Sequence, residues 1–202
     1  MRRFLCPGGG YGILNRLNGG GGNMIRQAYE ADIPGVVRIY DKIHALEAAG
    51  KGCTGWKKGI YPTEQDASEA VLAGELYVYE AEGKVLAAIR INQEQLPAYA
   101  LCDWAHQAPA DQVMACHTLV VDPDRAGQGI AGAMLRFFEN HARQKGCPWL
   151  RLDTNEKNLP ARALYKKHGY AESGIVPCDF NGLPSIRLVC IEKALAGEGA
   201  ID

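Results

Sequence analysis

Residues 117–132 read HTLVVDPDRAGQGIAG. An apolar run typical of a buried strand leads toward Gly127 and Gly129, and an amphipathic helical pattern follows them. Glycine lets the backbone approach a ligand without a Cβ in the way, and the first turn of a helix offers free N–H groups at its positive end. The stretch therefore predicts a strand–loop–helix unit that binds a phosphate or pyrophosphate group.

One interpretation of this unit is a dinucleotide-binding loop. Gly127–Gly132 is a G-x-G-x-x-G motif, and Asp153 ends the next predicted strand, as a dinucleotide fold requires. Two observations count against it. Asp122–Ala126 separates the apolar run from the first glycine, and the chain after Asp153 is too short for the second nucleotide-binding half.

The rest of the chain alternates strand and helix patterns, which predicts an α/β fold with a central mixed β-sheet flanked by helices. Asp32 is predicted to cap a helix with Pro34 in its first turn, and Gln93–Asp111 is interpreted as a loop. Strands are predicted at Ile25–Ala31, Leu76–Ala81, Val85–Ile91, Val113–Val121, Trp149–Asp153, Tyr170–Val176 and Ile186–Ile191. Further helices are predicted at 63–74, 127–145 and 158–168.

Composition and charge are those of a globular protein. The chain has 202 residues, of which 47% are hydrophobic, and 22 Lys+Arg against 23 Asp+Glu give a net charge of -1. Such a balance gives no general affinity for nucleic acid or for a membrane surface, so we expect neither as a partner. The seven cysteines form no Cys-x-x-Cys pair, which predicts reduced thiols, no metal site and a cytoplasmic protein.

Residues 1–23 differ from the remainder. They hold eight of the 24 glycines and three arginines, and no acidic residue. A segment of this kind buries too little apolar surface to fold. We therefore predict a disordered Gly-rich leader at 1–23 and one domain at 24–202.

A second motif follows the glycine loop in the order seen in one protein family. Val121–Pro123 and Ala126–Ala131 resemble the acetyl-CoA loop of the GNAT superfamily of N-acetyltransferases, in which Val-x-Pro precedes Gln/Arg-x-x-Gly-x-Gly/Ala. Asn158–Tyr170 matches the family segment Asn-x-x-Ala-x-x-x-Tyr-x-x-x-Gly-Tyr/Phe. Ala126 stands where the family often has Arg or Gln, and Arg125 lies one position early.

The resemblance implies a GNAT-type acyl-CoA N-acyltransferase fold over about Met24–Ala196, with acetyl-CoA as cosubstrate. The backbone of the strand would bind the pantetheine arm and the thioester carbonyl, and the glycine loop would hold the pyrophosphate. Lys166 and Lys167 are further candidates near the nucleotide phosphates. The resemblance implies cofactor contacts by Leu119, Val120, Val121, Ala126, Gly127, Gln128, Gly129, Ile130, Ala131, Gly132, Asn158, Ala161 and Tyr165.

The resemblance also implies the chemistry. Tyr165 would protonate the leaving CoA thiolate, and a base must accept the proton of the attacking amine. We interpret His117 as this base, with Asp153, Asp103 and Glu94 as alternatives. Cys116 offers a covalent acetyl-cysteine route, but strand alternation turns its side chain away from the face of His117.

The acceptor site is predicted between the first two helices and the closing strands. Trp56–Pro62 looks like the Trp-x-x-Gly-x-Tyr-Pro stretch of some bacterial members of the family, so Trp56 and Tyr61 are predicted to contact the substrate. Phe180 and Asp179 are candidates to complete the cleft.

The function implied is direct attack of a small-molecule amine on acetyl-CoA in a ternary complex, by a monomer or homodimer. Three alternatives stay open at this point. They are an acetyltransferase for protein N-termini or lysines, an acyl-CoA-binding sensor without efficient transfer, and an NAD-binding protein that uses the G-x-G-x-x-G loop.

Overall fold

The predicted strands assemble into one mixed sheet, with helices on both of its faces. The computed structural model describes residues 15–16, 22–180 and 182–195. The sheet has eight strands in the order β1-β2-β3-β4-β5-β6-β8-β7. Its strands are β1 Asn15–Arg16, β2 Met24–Gln27, β3 Leu76–Ala81, β4 Lys84–Asn92, β5 Val113–Val121, β6 Trp149–Asn155, β7 Ala171–Phe180 and β8 Leu183–Ala194. The helices are α1 Ile33–Ala48, α2 Glu64–Leu72, α3 Ile130–Gln144 and α4 Leu159–Lys167.

Only β5 and β6 pair in parallel; every other neighbouring pair in the described residues is antiparallel. Helices α1 and α2 cover one face of the sheet, where Val36 and Ile39 pack on Val78 and Val120. Helix α3 and the Tyr165 side of α4 cover the other face. The two apolar clusters hold the central strands between two helical layers.

Helix α3 is the element that the sequence pattern predicts best. Ile130, Met134, Leu135, Phe138 and Ala142 are all buried, as expected for an apolar stripe at helical spacing. The helix begins three residues later than predicted, because Gly127 and Gly129 remain outside it with positive φ.

The first predicted strand is too long. Strand β2 ends at Gln27, and a short 3-10 turn follows at Glu30–Asp32. Asp32 stands at the N-cap position of α1, but its carboxylate does not cap that helix. It accepts hydrogen bonds from the Tyr29 N–H at 2.8 Å and from the Arg26 guanidinium at 2.6 and 2.8 Å instead.

The connection between β4 and β5 is packed on the sheet rather than lying free of it. It contains two short 3-10 turns, Pro97–Leu101 and Ala110–Gln112. Tyr99 and Trp104 are buried against Val176 and Leu188 of the closing strands. The sequence-based interpretation of this segment as a loop is correct for most of its length, but the buried aromatic residues were not foreseen.

Most of the predicted leader lies outside the described residues. Within 1–23, the structure describes Asn15–Arg16, which pair with β2, and residues 22–23. The prediction that 1–23 is disordered therefore stays a prediction. In the described part of the chain, no helix is long and apolar enough to cross a membrane.

Candidate active site

Strands β5 and β6 separate halfway along their length, and the candidate site lies where they part. They pair only from Val113–Cys116 to Trp149–Leu152. Beyond that point β5 stays paired with β4, while its edge toward β6 has no strand partner over residues 117–121. Unpaired backbone groups must find hydrogen-bond partners elsewhere, so this edge can bind an extended ligand through its main chain.

A β-bulge shapes the strand at this opening. Thr118 has a φ of 45°, and the register between β4 and β5 shifts there. A positive φ is uncommon for a β-branched residue and marks a constrained position. Beyond the bulge, Val120 packs toward α1 and α2, whereas Leu119 and Val121 pack toward α3. The Val120 side chain is therefore buried in the core, whereas the side chains of Leu119 and Val121 are only partly buried. The backbone edge of all three residues is free for a ligand.

The glycine loop has the geometry expected of an anion site. Gly127 and Gly129 have φ values of 76° and 77°, and a Cβ added at either would meet no atom within 4 Å. These positions need glycine for the backbone conformation, and the space beside them is open. Ala126 and Gln128 are exposed in the same loop. The N–H groups of the first turn of α3 lie directly behind it and have no partner within the helix.

The end of the G-x-G-x-x-G motif has a different role. Gly132 lies inside α3, where a Cβ would come within 3.0 Å of the His168 ring. Its missing side chain permits close packing between α3 and the end of α4. The Ile130 side chain is buried in the core and that of Ala131 is partly buried, so these residues offer a ligand only their backbone N–H groups.

Lys42 of α1 anchors the turn that leads into the glycine loop. Its ammonium group lies 2.7 Å from both the Asp122 and the Asp124 carboxylates. Asp122 also accepts a hydrogen bond from the Asp124 N–H at 3.1 Å. These contacts lower the pKa of the Asp122 carboxyl and raise that of Lys42. The ion pairs neutralise part of the negative charge close to the predicted pyrophosphate site.

Helix α4 places the second motif across the opening from the glycine loop. Asn158 caps the helix, accepting from the Ala161 N–H at 3.3 Å and donating to the Thr154 hydroxyl at 3.1 Å. The Cys53 thiol also donates to it, at 3.2 Å. Asn158 therefore fixes the start of α4, and it lies beside Tyr165 in the lining of the cavity at the strand opening.

One cavity lies in the strand opening and reaches the second motif on α4; we refer to it as the central cavity. It is bounded by α4, by the open ends of β5 and β6, by the loop before α2 and by the closing hairpin. Its lining is Thr54, Trp56, Tyr61, Cys116, His117, Thr118, Leu119, Asp153, Thr154, Asn155, Asn158, Ala161, Tyr165, Phe180, Leu183, Ile186 and Leu188.

Tyr165 lies at the cofactor side of this cavity. It is buried and packs edge-on against Tyr170, with ring centroids 6.0 Å apart. Burial raises its pKa well above the ordinary value of a phenol, and the nearby Cys116 and Asp153 add to the shift. Tyr165 is therefore protonated at neutral pH and has a proton to donate.

Three aromatic side chains form the opposite wall. Tyr61 meets Trp56 edge-on at 5.7 Å and Phe180 edge-on at 5.1 Å. The Tyr61 hydroxyl is hydrogen-bonded to the Thr118 hydroxyl at the bulge. The two residues predicted from sequence to contact the substrate therefore lie in the central cavity, together with Phe180. Asp179 is exposed and accepts from the Ser185 N–H at 2.9 Å, so it supports the hairpin instead.

Asp153 is the carboxylate that faces the central cavity. Its environment is poorly hydrated, and burial raises its pKa to about 6, although the Tyr99 hydroxyl opposes the shift by donating to Oδ2 at 2.7 Å. A carboxyl group with a pKa near the working pH is suited to accept a proton.

His117 lies on the opposite side of β5 from Cys116. Its Nε2 is 2.9 Å from Asn92 Oδ1, while the Asn92 amide donates to Glu75 at 3.0 Å. That network assigns the proton of His117 to Nε2. Burial, helped by Arg90, lowers the pKa of His117 to about 4, so this imidazole is a weaker base than Asp153.

The remaining sequence candidates are less well placed. Asp103 is exposed and does not line the central cavity, and Glu94 lines only a neighbouring groove beside His117. Burial raises the pKa of the Cys116 thiol strongly, which suppresses the thiolate needed for a covalent route. Lys166 and Lys167 are exposed in the last turn of α4.

The sequence does not predict five polar residues of the site; four of them line the central cavity, namely Thr54, Thr118, Thr154 and Asn155. Tyr99 reaches Asp153 from the β4–β5 connection, and Thr118 combines the bulge with a hydroxyl contact to Tyr61. Neither stands in a recognisable motif. Among the described residues, no group of three or more His, Cys, Asp or Glu side chains is arranged to hold a metal ion, and the six described cysteines are free.

The topology decides between the two interpretations of the glycine loop. A dinucleotide fold requires successive parallel strands joined by helices, whereas only β5 and β6 pair in parallel in the described sheet. The dinucleotide interpretation is therefore wrong.

Comparisons with known proteins agree with this topology. Residues 43–170 match the model of the Acetyltransferase (GNAT) family. The chain is 32% identical over 68 residues to the mycothiol acetyltransferase of Thermobifida fusca, an alignment that covers 34% of this chain and 21% of that protein. The chain spans a third or less of the length of the curated relatives that it matches.

Solved structures extend the likeness over the whole fold. A GNAT-family acetyltransferase of Streptococcus agalactiae has a TM-score of 0.74 at 23% identity, covering 87% of this chain and 97% of the other. A proposed acetyltransferase of Salmonella typhimurium, solved with its cofactor acetyl-CoA, has a TM-score of 0.63 at 18% identity, covering 89% and 98%. At these identities the likeness establishes the GNAT fold. Since the family match spans more than half of the sequence, the chain belongs to the GNAT family of acetyltransferases.

Proposed function

We propose that this chain transfers the acetyl group of acetyl-CoA to a small-molecule amine by direct attack in a ternary complex. The observation that carries the proposal is the central cavity, in which a protonated phenol, Tyr165, and a carboxyl group of raised pKa, Asp153, line the same space. An acid and a base that share one cavity can serve a single displacement without a covalent enzyme intermediate.

The residues along the strand opening fit acetyl-CoA. The free backbone edge of Leu119–Val121 would pair with the pantetheine arm, and the N–H groups from Gly127 to Gly132 would bind the pyrophosphate. Open space beside Gly127 and Gly129 leaves room for that group. A backbone N–H near the thioester carbonyl would stabilise the oxyanion that forms there.

The proposed reaction follows from the acid and the base. The amine nitrogen forms a bond to the thioester carbon, and Asp153 accepts a proton from that nitrogen. The carbon–sulfur bond then breaks, and Tyr165 donates its proton to the leaving thiolate. The products are the acetylated amine and free CoA. The proton that Asp153 holds then passes to the deprotonated Tyr165, directly or relayed by water, which restores both groups.

The shape of the acceptor side favours a small molecule over a peptide. The loop that carries Tyr61 touches Phe180 of β7, so an aromatic contact closes the gap between two separate segments. A polypeptide acceptor needs an open groove, whereas a small amine needs only the pocket behind this contact. The presence of both Tyr165 and Asp153 favours a catalyst over an acyl-CoA sensor. Six free thiols are in keeping with the cytoplasmic location that we propose.

The acceptor class can be tested with a panel of amines. Purified protein is incubated with acetyl-CoA and small aliphatic amines, diamines or amino acids, and with peptides that present a free N-terminus or an internal lysine. We expect acetylated product from at least one small amine and from no peptide. Product is measured by mass spectrometry, because the free thiols of the protein interfere with thiol detection of CoA. Acetylation of peptides would favour a protein acceptor, and acetyl-CoA binding without any product would favour a sensor.

The glycine loop can be tested with two matched substitutions on one helix. Gly129→Val and Gly146→Val each place a β-branched residue at positive φ, with open space around the Cβ, at opposite ends of α3. Both variants lose stability from the backbone strain, by about 1–2 kcal/mol. We expect only Gly129→Val to weaken acetyl-CoA binding, by at least about tenfold, which corresponds to 1.4 kcal/mol. Calorimetric titration with acetyl-CoA measures this; equal affinities in the two variants would remove the loop from the site.

Tyr165→Phe tests the general acid. The substitution keeps the buried ring and removes the proton that would be donated to the thiolate. We expect kcat to fall by about 10²-fold or more, while the Kd for acetyl-CoA measured by calorimetry stays within about twofold, a difference of under 0.5 kcal/mol. An unchanged kcat would show that the leaving thiolate takes its proton from another source.

Asp153→Asn tests the base and has opposite effects on activity and stability. The acidic limb of the wild-type kcat profile is expected near the Asp153 pKa of about 6. The variant should lose about 10²–10⁴-fold in kcat. Because the folded pKa is raised, the charged carboxylate destabilises the protein above that pH. The variant should therefore have the higher Tm at pH 8, and this advantage should vanish below about pH 4, where Asp153 is protonated in both states.

The same experiment distinguishes Asp153 from His117 as the general base. Retained activity in Asp153→Asn, with an acidic limb near the His117 pKa of about 4, would assign the role of base to His117.

A further inference from the structure

The β4–β5 connection, residues 93–112, is clamped to the sheet by a buried arginine. Arg151 of β6 donates to the Gln95 side chain at 2.6 Å and to the His106 carbonyl at 2.7 Å. Its guanidinium also stacks on the Trp104 ring at 4.2 Å. Burying a cation is costly unless partners replace its hydration. Here three separate points of the connection contact the guanidinium, and its two terminal nitrogens are hydrogen-bonded, whereas Nε has no partner among the described residues.

A buried glutamate completes the clamp. Glu192 of β8 accepts hydrogen bonds from the Ala105 N–H and from the Ser173 hydroxyl, both at 2.8 Å. It is 5% exposed, so removing either contact would leave a buried charge poorly satisfied. Together, Arg151 and Glu192 give the connection a defined position on strands β6, β7 and β8.

That position determines where the Tyr99 side chain points. The Trp104 indole donates to the Tyr99 carbonyl at 2.9 Å, and the two rings meet edge-on at 5.2 Å. Tyr99 is 2% exposed, and its hydroxyl donates to Asp153 Oδ2 at 2.7 Å. The contacts of Arg151 and Glu192 thus place the Tyr99 hydroxyl where it donates a hydrogen bond to Asp153 in the central cavity.

We propose that Tyr99 is a positioning residue, which holds Oδ2 of Asp153 and thereby leaves Oδ1 directed to the amine. The proposal rests on the proposed function, in which Asp153 is the base. A carboxylate held by one donor has a single rotamer and one oxygen free to accept a proton. Without the Tyr99 hydroxyl, Asp153 would be free to rotate and would lose the donor that stabilises its charged form.

The surroundings of Asp153 make this one donor important. The carboxylate charge of Asp153 raises the pKa of five neighbouring phenols and thiols, which are Tyr61, Cys116, Tyr165, Cys178 and Cys190. His117 lines the same cavity. The phenols and thiols are neutral at pH 7, as is His117, so none of these described neighbours balances the carboxylate with a positive charge. Burial raises the pKa of Asp153 to about 6, and the Tyr99 hydrogen bond limits that rise.

Tyr99→Phe is the test, because it keeps the ring on Trp104 and removes only the hydroxyl. Protein labelled with ¹³C at the aspartate carboxyl carbons is titrated by NMR, and the Asp153 signal is identified by its loss in Asp153→Asn. We expect the pKa of Asp153 to rise in Tyr99→Phe. The acidic limb of the pH profile of kcat should move to higher pH by the same amount. At pH 8, kcat should fall by about tenfold because the Asp153 carboxylate is no longer held toward the amine. The KM for acetyl-CoA should stay unchanged.

Tyr170→Phe is the matched control. Tyr170 is also a buried tyrosine, it packs edge-on against Tyr165 of α4, and its hydroxyl makes no hydrogen bond to any described residue, Asp153 included. The control should leave the Asp153 titration and the pH profile unchanged. A merely structural role for Tyr99 predicts the opposite pattern, in which Tyr99→Phe lowers Tm but leaves the Asp153 titration where it is. That result would overturn the proposal.

The two proposals fail in different ways. If Asp153→Asn keeps full activity, the assignment of Asp153 as base is wrong, and the proposed role of Tyr99 in catalysis falls with it. A second outcome is that Asp153→Asn is inactive, while Tyr99→Phe changes neither the NMR titration of Asp153 nor kcat. The assignment of Asp153 as base is then retained, and the positioning role of Tyr99 is wrong. A shift of the titration together with the acidic limb supports both.

Discussion

The parting of β5 from β6 after Cys116 is the constraint on which the rest of the site depends. A central strand that stayed paired along its full length would have no free main chain and would leave no space between the sheet faces. The bulge at Thr118 and the cap of α4 at Asn158 sit on the two sides of the gap and keep it open. Because the gap runs through the sheet, α4 on one face and the aromatic wall on the other share one cavity.

This opening also explains the electrostatics of the site. A carboxylate on a fully paired inner strand would have to be neutralised or excluded, since an unpaired buried charge is costly. Asp153 is the first residue of β6 beyond its pairing with β5, so its side chain faces a cavity and receives a single donor from Tyr99. The same separation from water raises the pKa of Tyr165 and of the Cys116 thiol. Poor hydration therefore keeps the Tyr165 phenol protonated, raises the pKa of Asp153 and suppresses the Cys116 thiolate.

Much of the fold and the cofactor side could be predicted from the sequence because both depend on local patterns. The apolar stripe of α3, the glycine loop before it and the helix that starts after Asn158 are each encoded within a few consecutive residues, and each appears in the predicted part of the chain. The order of the two motifs along the chain was enough to indicate the family. Gly132 shows the limit of such patterns, since the motif assigns it to the ligand while its contacts assign it to packing against His168.

The acceptor side could not be predicted to the same depth because it is assembled from distant segments. Tyr99 reaches Asp153 across 54 positions of sequence. Its placement depends on Arg151 and Glu192, which stand in strands whose pattern predicts only buried positions. A hydropathy pattern does not identify buried charged residues such as Arg151 and Glu192. Their contacts nevertheless hold the β4–β5 connection in one position. The position of Asp153 in the proposed acceptor site therefore depends on long-range polar contacts, which a local sequence motif does not encode.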